Sequence, residues 1–283
     1  MTLYDGNATV DAAVETFYLN REGQPELIPL GFPRLDEEVG GLGPGSVGIL
    51  AAATGVGKSS AMLSAMLQCP VKTGAVSLED GPDVVGTRLL AALSGVDSLR
   101  IRRKALTKTE LKKVNKAAAD AKLEQILFAY PTAGSIDEVT DAITELVDQG
   151  CRLIWLDYLQ KVRGHGKGDR RNEVSETLTR CQNVAAKGQA ALMAVSQFRR
   201  LRTEGKDREK VPGIHHLKES GDLENEARLI ILAHKQDSPD EGARVRFRLA
   251  KSTYGGEYVR WDMVRDTSGT LRAATYYHTG EGL

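Results

Sequence analysis

Residues 47–67 constrain the fold of this chain more than any other stretch. An apolar run, Val47-Gly48-Ile49-Leu50, leads into Ala51-Ala52-Ala53-Thr54-Gly55-Val56-Gly57-Lys58-Ser59-Ser60, and a helix-forming run, Ala61-Met62-Leu63-Ser64-Ala65-Met66-Leu67, follows. A strand, a loop of small residues ending in Gly-Lys-Ser and then a helix build a nucleotide phosphate cradle. Backbone N–H groups and the helix N-terminus surround the anion, Lys58 reaches the β/γ oxygens, and the Ser59 hydroxyl ligates Mg²⁺. Thr54, Gly55, Val56, Gly57, Lys58, Ser59 and Ser60 are therefore the nucleotide-binding candidates. Ala52 stands where the motif G-x-x-x-x-G-K-[ST] has its first glycine. An ordinary strand-to-helix turn with an exposed lysine is the competing reading, and the context decides between them.

From Val47 the chain alternates. Strands are predicted over 47–52, 74–78, 125–130, 152–157 and 190–195, and helices over 59–68, 82–94, 107–122, 135–149 and 172–187. Thr107 with Glu110 and Ser135 with Glu138 have capping-box spacing, and Gly150 and Gly188 follow helices where left-handed glycines belong. Such alternation predicts an α/β fold, a mostly parallel sheet flanked by helices. Beyond Ala227 the runs 229–233, 244–250, 257–264 and 270–277 read as strands joined by turns, an antiparallel extension of the same sheet. Residues 8–19 place Val10, Ala13, Val14, Phe17 and Tyr18 at helical spacing, before a Gly/Pro-containing linker over 20–29. That apolar stripe must dock either on its own domain or on a neighbouring subunit. Two units follow: 1–27, helix and linker, and 28–283, the main domain.

Composition mainly excludes. Lys+Arg and Asp+Glu both number 38, so no global charge draws the chain to nucleic acid or a membrane, and local charge must carry any such attraction. Cys69, Cys151 and Cys181 are far apart, without metal-ligand spacing, and read as small buried residues of a reduced protein. No apolar run approaches the ~20 residues of a membrane span, and the N-terminus lacks a basic-then-apolar signal, so a soluble cytoplasmic protein without a membrane partner is expected.

Three further strand ends carry chemistry. Leu153-Ile154-Trp155-Leu156-Asp157 ends in an acid suited to hold Mg²⁺ with Ser59. Val76-Ser77-Leu78-Glu79-Asp80 ends in carboxylates, of which Glu79 is the candidate general base for an attacking water, while Asp80 reads as a solvated turn acid. Ala194-Val195-Ser196-Gln197 ends in an amide able to sense a γ-phosphate. In a doubly wound sheet all three lie on the carboxyl edge beside the phosphate loop. Two basic loops leave the same edge. Residues 161–171 hold five Lys/Arg against one Asp, and 199–210 hold six against three acids. Glycine-containing and almost free of aromatics, they suit contact with a phosphate backbone better than base stacking; a merely solvated face is the alternative.

The order of these pieces resembles the RecA-like motor domain of DnaB-type replicative helicases. Leu30-Gly31-Phe32-Pro33-Arg34-Leu35-Asp36-Glu37, with Gly40-Gly41-Leu42 and Pro44-Gly45, looks like the family's opening segment, and alanine is common in that family where Ala52 stands. Ser77-Leu78-Glu79 resembles the motif whose glutamate is the catalytic base, 154–160 the metal-binding strand, and Ser196-Gln197-Phe198-Arg199-Arg200 the sensor strand. Residues 217–224, with Lys218, Glu219 and Gly221, are similar to the loop that grips single-stranded DNA. Ala250-Lys251 followed by Gly255 looks like the last motif, whose lysine faces the neighbouring subunit's nucleotide. The similarity spans about 28–262.

It implies an ATP- and Mg²⁺-dependent helicase of phage or plasmid type that binds single-stranded DNA as a homo-oligomer, a hexamer by analogy. Lys58, Glu79, Gln197 and Lys251 are its catalytic candidates, Ser59 and Asp157 its metal ligands, and Arg199, Arg200, Lys218, Glu219 and Gly221 its DNA contacts. Two departures matter. The family's large N-terminal domain, which contacts primase and loader, has no counterpart in these residues. Thr253 stands where an arginine is expected two residues after the lysine, a group worth ~10³-fold or more in rate. Arg244, Arg246 and Arg248 alternate along the preceding strand as replacements, or as a solvated basic face. The departures keep open a RecA-like DNA-binding protein of recombination or repair, with little unwinding and possible nuclease action through the Mg²⁺ carboxylates. A regulatory ATPase that binds protein partners is a third reading.

Overall fold

The computed structural model describes residues 27–164, 170–198, 212–217, 220–236, 244–256 and 259–274. The helix expected over 8–19 and the linker up to residue 26 lie outside them. Among the described residues nine strands form one sheet: β1 (Val47–Ala52), β2 (Thr73–Ser77), β3 (Ile126–Ala129), β4 (Leu153–Asp157), β5 (Ala191–Gln197), β6 (Leu229–Lys235), β7 (Arg244–Ser252), β8 (Arg260–Arg265) and β9 (Leu271–Ala273). Their order is β3-β2-β4-β5-β1-β6-β7-β8-β9. Strands β1 to β6 run parallel, and β7, β8 and β9 join antiparallel. The parallel sheet and its antiparallel extension are thus as the sequence predicts; residues 275–277 of the last predicted strand lie outside the described residues.

Helices cover both faces, as continuous apolar strands require. α1 (Pro33–Val39), α2 (Lys58–Gln68) and α3 (Pro82–Ser94) pack on one face; α6 (Ile136–Asp148) and α7 (Arg170–Lys187) pack on the other. Between them in sequence lie α4 (Ser98–Arg102) and α5 (Lys108–Asp120), and α8 (Ser220–Glu226) precedes β6. Alternate residues of β1 serve the two layers: Leu50 and Ala52 join the first core, Val47, Ile49 and Ala51 the second.

The opening segment has a structural task. The Asp36 carboxylate accepts the N–H groups of Leu30 and Gly31, both at 2.8 Å, and so fixes the turn into α1. That turn drives Phe32 into a cluster with Trp155, Phe247 and Trp261, at ring-centroid distances of 6.4, 5.9 and 5.4 Å. Trp155 belongs to the parallel half and the other two to the antiparallel half, so Phe32 joins them.

The expected caps hold in part. Thr107 and Glu110 form a reciprocal box at α5. Ser135 caps α6, but the Glu138 carboxylate bonds Ala133 and Gly134 N–H groups instead of returning to the cap residue. After α7 the left-handed residue is Gln189 (φ 56°), not Gly188. Glycine stands at 188 for space: a Cβ there would lie 1.8 Å from Val147 Cγ1 of α6.

Candidate active site

β1 ends at the centre of the sheet between β5 and β6, so its exit loop opens where ligands bind in open α/β sheets. The chain turns through Gly55 (φ 77°) and Gly57 (φ 114°, the N-cap of α2). Both are left-handed conformations that side chains other than glycine resist. The turn aims the free N–H groups of the first turn of α2 into a cleft of about 400 Å³. Thr54, Gly55, Gly57, Lys58, Ser59 and Ser60 line it, together with Glu79 from the end of β2, Tyr158 after β4, and Gln197 at the end of β5. Val56 is buried beneath the loop. Ala52, fully buried in β1, needs no glycine.

The polar groups are interlocked. Lys58 Nζ donates to the carbonyl oxygens of Ala52 and Ala53, each at 3.3 Å. Burial pulls its pKa down, opposed by the charges of Asp157 and Glu79. Asp157 is 2 % exposed, and burial raises its pKa to about 6, with Glu79 and Asp80 adding to the rise and a hydrogen bond from Ser59 opposing it. Its Oδ1 has no hydrogen-bond partner. A buried carboxylate with an orphaned oxygen, bonded to the serine that follows Lys58, fits a hard divalent cation that takes oxygen ligands. Glu79 is exposed in the cleft. Gln197 Nε2 donates to Thr54 Oγ1, while its backbone N–H donates to Gln160 Oε1 at 3.3 Å. Gln160 in turn donates to Ser196 Oγ at 2.8 Å. A change at Gln197 therefore reaches the turn that follows β4 directly.

Three groups that the sequence did not reveal complete the cleft. Arg88 of α3 lines it and pairs with Asp80, so Asp80 is an ion-paired group and not the solvated turn acid expected. Arg265, at the end of β8, donates to the carbonyl of Val56 in the phosphate loop and to that of Gly269, both at 3.0 Å. The turn Ser268-Gly269-Thr270 forms the adjoining wall. No local signal marks these residues, because Arg265 and Val56 are 209 positions apart.

The remaining candidates lie elsewhere. Lys251 sits near the far end of β7, where its ammonium donates to the Glu224 carbonyl at α8. Thr253 is exposed beyond it. Arg246 is bidentate on Asp262 (2.8 and 2.9 Å), with Arg244 3.5 Å from the same carboxylate. This pairing corrects the reading of a freely solvated basic face. Gly221 lies in the first turn of α8. Arg199, Arg200, Lys218 and Glu219 fall outside the described residues, as does the loop 199–210. Of the loop 161–171, residues 165–169 are likewise outside. Cys151 and Cys181 are buried and Cys69 is partly so; burial pushes their thiols up to about 11, 12 and 11, respectively. No helix among the described residues is long and apolar enough to cross a membrane.

A central strand feeding a phosphate loop, within this strand order and with an antiparallel flank, defines a RecA-like P-loop nucleotide-binding domain. The sequence model of the DnaB-like helicase C terminal domain matches residues 28–257. The chain belongs to that family. It is 28 % identical over 229 residues to the replicative DNA helicase DnaC of Bacillus subtilis, and 24 % identical over 229 residues to a probable plasmid replicative DNA helicase of Chlamydia trachomatis. These alignments cover 78 % and 79 % of this chain but 50 % of each relative, so the chain spans about half the length of the curated relatives it matches. Among solved structures it superposes on the ATPase domain of G40P with a TM-score of 0.81, at 21 % identity, covering 96 % of this chain and all of that one. A DnaB-like replicative helicase described with its interactions with primase gives a TM-score of 0.79 at 20 % identity, over 96 % of this chain and 67 % of the other.

Proposed function

We propose that the chain is the ATP-driven motor of a DNA helicase that moves on single-stranded DNA as a homo-oligomeric ring, a hexamer by family analogy. The observation that carries this reading is the meeting of Lys58, Ser59, Glu79 and Gln197 in one cleft, with Asp157 buried at its floor. The N–H groups of Thr54 to Ser60 and the Lys58 ammonium hold the triphosphate. Ser59 and Asp157 hold Mg²⁺, which neutralises charge on the phosphoryl oxygens. Glu79 orients water and accepts its proton, and Gln197 registers the γ-phosphate and passes its loss to Gln160. Lys218, Glu219 and Gly221, with Arg199 and Arg200, track the DNA backbone, and replication proteins such as primase are the partners suggested by the relatives.

Thr253 favours a second reading, a DNA-binding ATPase of recombination or repair that unwinds poorly. Strand displacement on a forked duplex separates the two. The helicase reading expects unwinding that requires ATP and Mg²⁺, and binding to single strands that weakens steeply with salt. ATP-dependent binding without displacement supports the second reading, and no salt-dependent binding to single strands defeats both.

A further inference from the structure

The two edges of the sheet, β3 and β9, differ in how they are protected. β9 carries Arg272, ion-paired with Asp266, and a charge on an edge strand discourages pairing with another chain. β3 pairs with β2 along one side only. Its residues, Ile126, Leu127, Phe128 and Ala129, are all apolar and half-buried, and its register has no bulge. Neither charge, proline nor bulge blunts this edge, so its outer backbone is a template for a further strand.

A groove of about 630 Å³ runs against β3, between the strand with its exit Tyr130-Pro131-Thr132 and the flank of α6. It shares no residue with the phosphate-loop cleft. Its charge is one-sided. α6 carries five carboxylates and no lysine or arginine. Asp137 pairs with Arg180, and Glu138 accepts the N–H groups of Ala133 and Gly134. Asp141 and Glu145, one turn apart, line the groove, are exposed, and bond no other side chain among the described residues. Like charges four positions apart on a helix repel, so this pair lowers the stability of the isolated chain. No lysine or arginine lines the groove among the described residues. On the opposite face of the sheet α5, packed on α3, carries four lysines against two acids.

We propose that the groove is a docking site for an extended segment of another protein, in which lysine or arginine alternates with apolar residues, and that this segment joins the sheet as a strand beside β3. The alternation follows from the two sides of the edge. Leu127 and Ala129 pack on the core beneath α6, whereas Phe128 and Tyr130, their rings stacked at 6.2 Å, pack on the other core. An added strand continues that alternation. Its basic residues turn to α6, lay their aliphatic stems on Ala142 and Leu146 and bring their charges to Asp141 and Glu145; its apolar residues meet the rings. Same-side residues of a strand stand about 6.6 Å apart, and four residues of helix rise about 6 Å. Two basic residues two positions apart therefore match Asp141 and Glu145. In such additions main-chain hydrogen bonds supply affinity and the side-chain pockets specificity.

Charge also selects whose segment this is. Residues 1–26 hold five acids and one arginine, and 275–283 hold one acid and no lysine or arginine, so neither matches the groove. The same carboxylates repel nucleic acid. A basic segment of a different protein is the occupant that fits.

The test uses the full chain and a capped, fluorescent peptide alternating arginine and valine, read by anisotropy and by amide hydrogen exchange. The peptide is expected to bind and to add protection at residues 127–130. Asp141→Lys combined with Glu145→Lys should weaken binding about tenfold, through the loss of two exposed ion pairs and their reversal. Circular dichroism and ATP turnover stay unchanged in that variant, and the peptide N-methylated at alternate residues, unable to extend the ladder, binds poorly. The proposal is overturned if a peptide alternating glutamate and valine binds as well, if N-methylation has no effect, if the double variant binds equally, or if protection falls elsewhere. It is also overturned if 127–130 are fully protected without peptide. Protection independent of concentration then means that the chain's own segment fills the groove; protection that rises with concentration, with a changed oligomeric mass in the double variant, means that a second copy does.

Discussion

Asp157 shows the cost of burying a carboxylate in the floor of a polar cleft. Burial lifts its pKa from 3.8 to about 6. In metal-free solution the folded chain therefore holds this proton more tightly than the unfolded chain. Stability falls as pH rises from about 4 to about 6 and stays lowered above, by about 3 kcal/mol for a two-unit shift. Asp157→Asn removes the charge and should raise the denaturation free energy at pH 7.5 in chelator by about 1–3 kcal/mol, while ATP turnover is lost. A lower midpoint in denaturant contradicts this. Arg265 makes a complementary case. Its guanidinium holds the Val56 carbonyl at the lip of the cleft, so Arg265→Ala should weaken ATP binding about tenfold, the worth of roughly 1.4 kcal/mol, read by titration with a fluorescent analogue. Unchanged affinity removes Arg265 from the site.

At the level of elements, local chemistry was legible wherever the signal was local. The Thr107–Glu110 box is visible as T-x-x-E, and it forms. Thr107→Ala should cost about 1 kcal/mol. α1 escaped prediction because seven residues with Leu35 and Val39 as their buried pair are too few to show a period. Gly188 was legible as special but not for the right reason. The spacing suggested a left-handed conformation, whereas the requirement is the approach of Val147 from α6. That contact depends on helix packing, which no window of sequence contains. Gly188→Ala should therefore destabilise by about 1–3 kcal/mol through overpacking, measured by urea denaturation, and a neutral result contradicts the contact.

The whole molecule explains why the candidate site was only partly readable. Asp157 and Gln197 sit at strand ends, Glu79 just beyond one, and Lys58 and Ser59 open the helix that follows β1; alternating strands of a parallel sheet bring such ends to one edge, so their convergence followed from the pattern. Arg265 and the 268–270 wall arrive from the antiparallel extension, whose position is set by long-range contacts. Ser64 Oγ of α2 donates to the Leu271 carbonyl at 2.6 Å, and the aromatic cluster on Phe32 joins the two halves of the sheet. Phe32→Ala should cost about 3–5 kcal/mol and disturb the cleft although it touches none of it. The central claim is that the cleft around Lys58 hydrolyses ATP to drive movement on DNA. It is tested most directly by ATP turnover of the unaltered chain and of Lys58→Ala, each with and without single-stranded DNA. The account predicts turnover that single strands stimulate and that Lys58→Ala abolishes; hydrolysis by Lys58→Ala at the unaltered rate would contradict it.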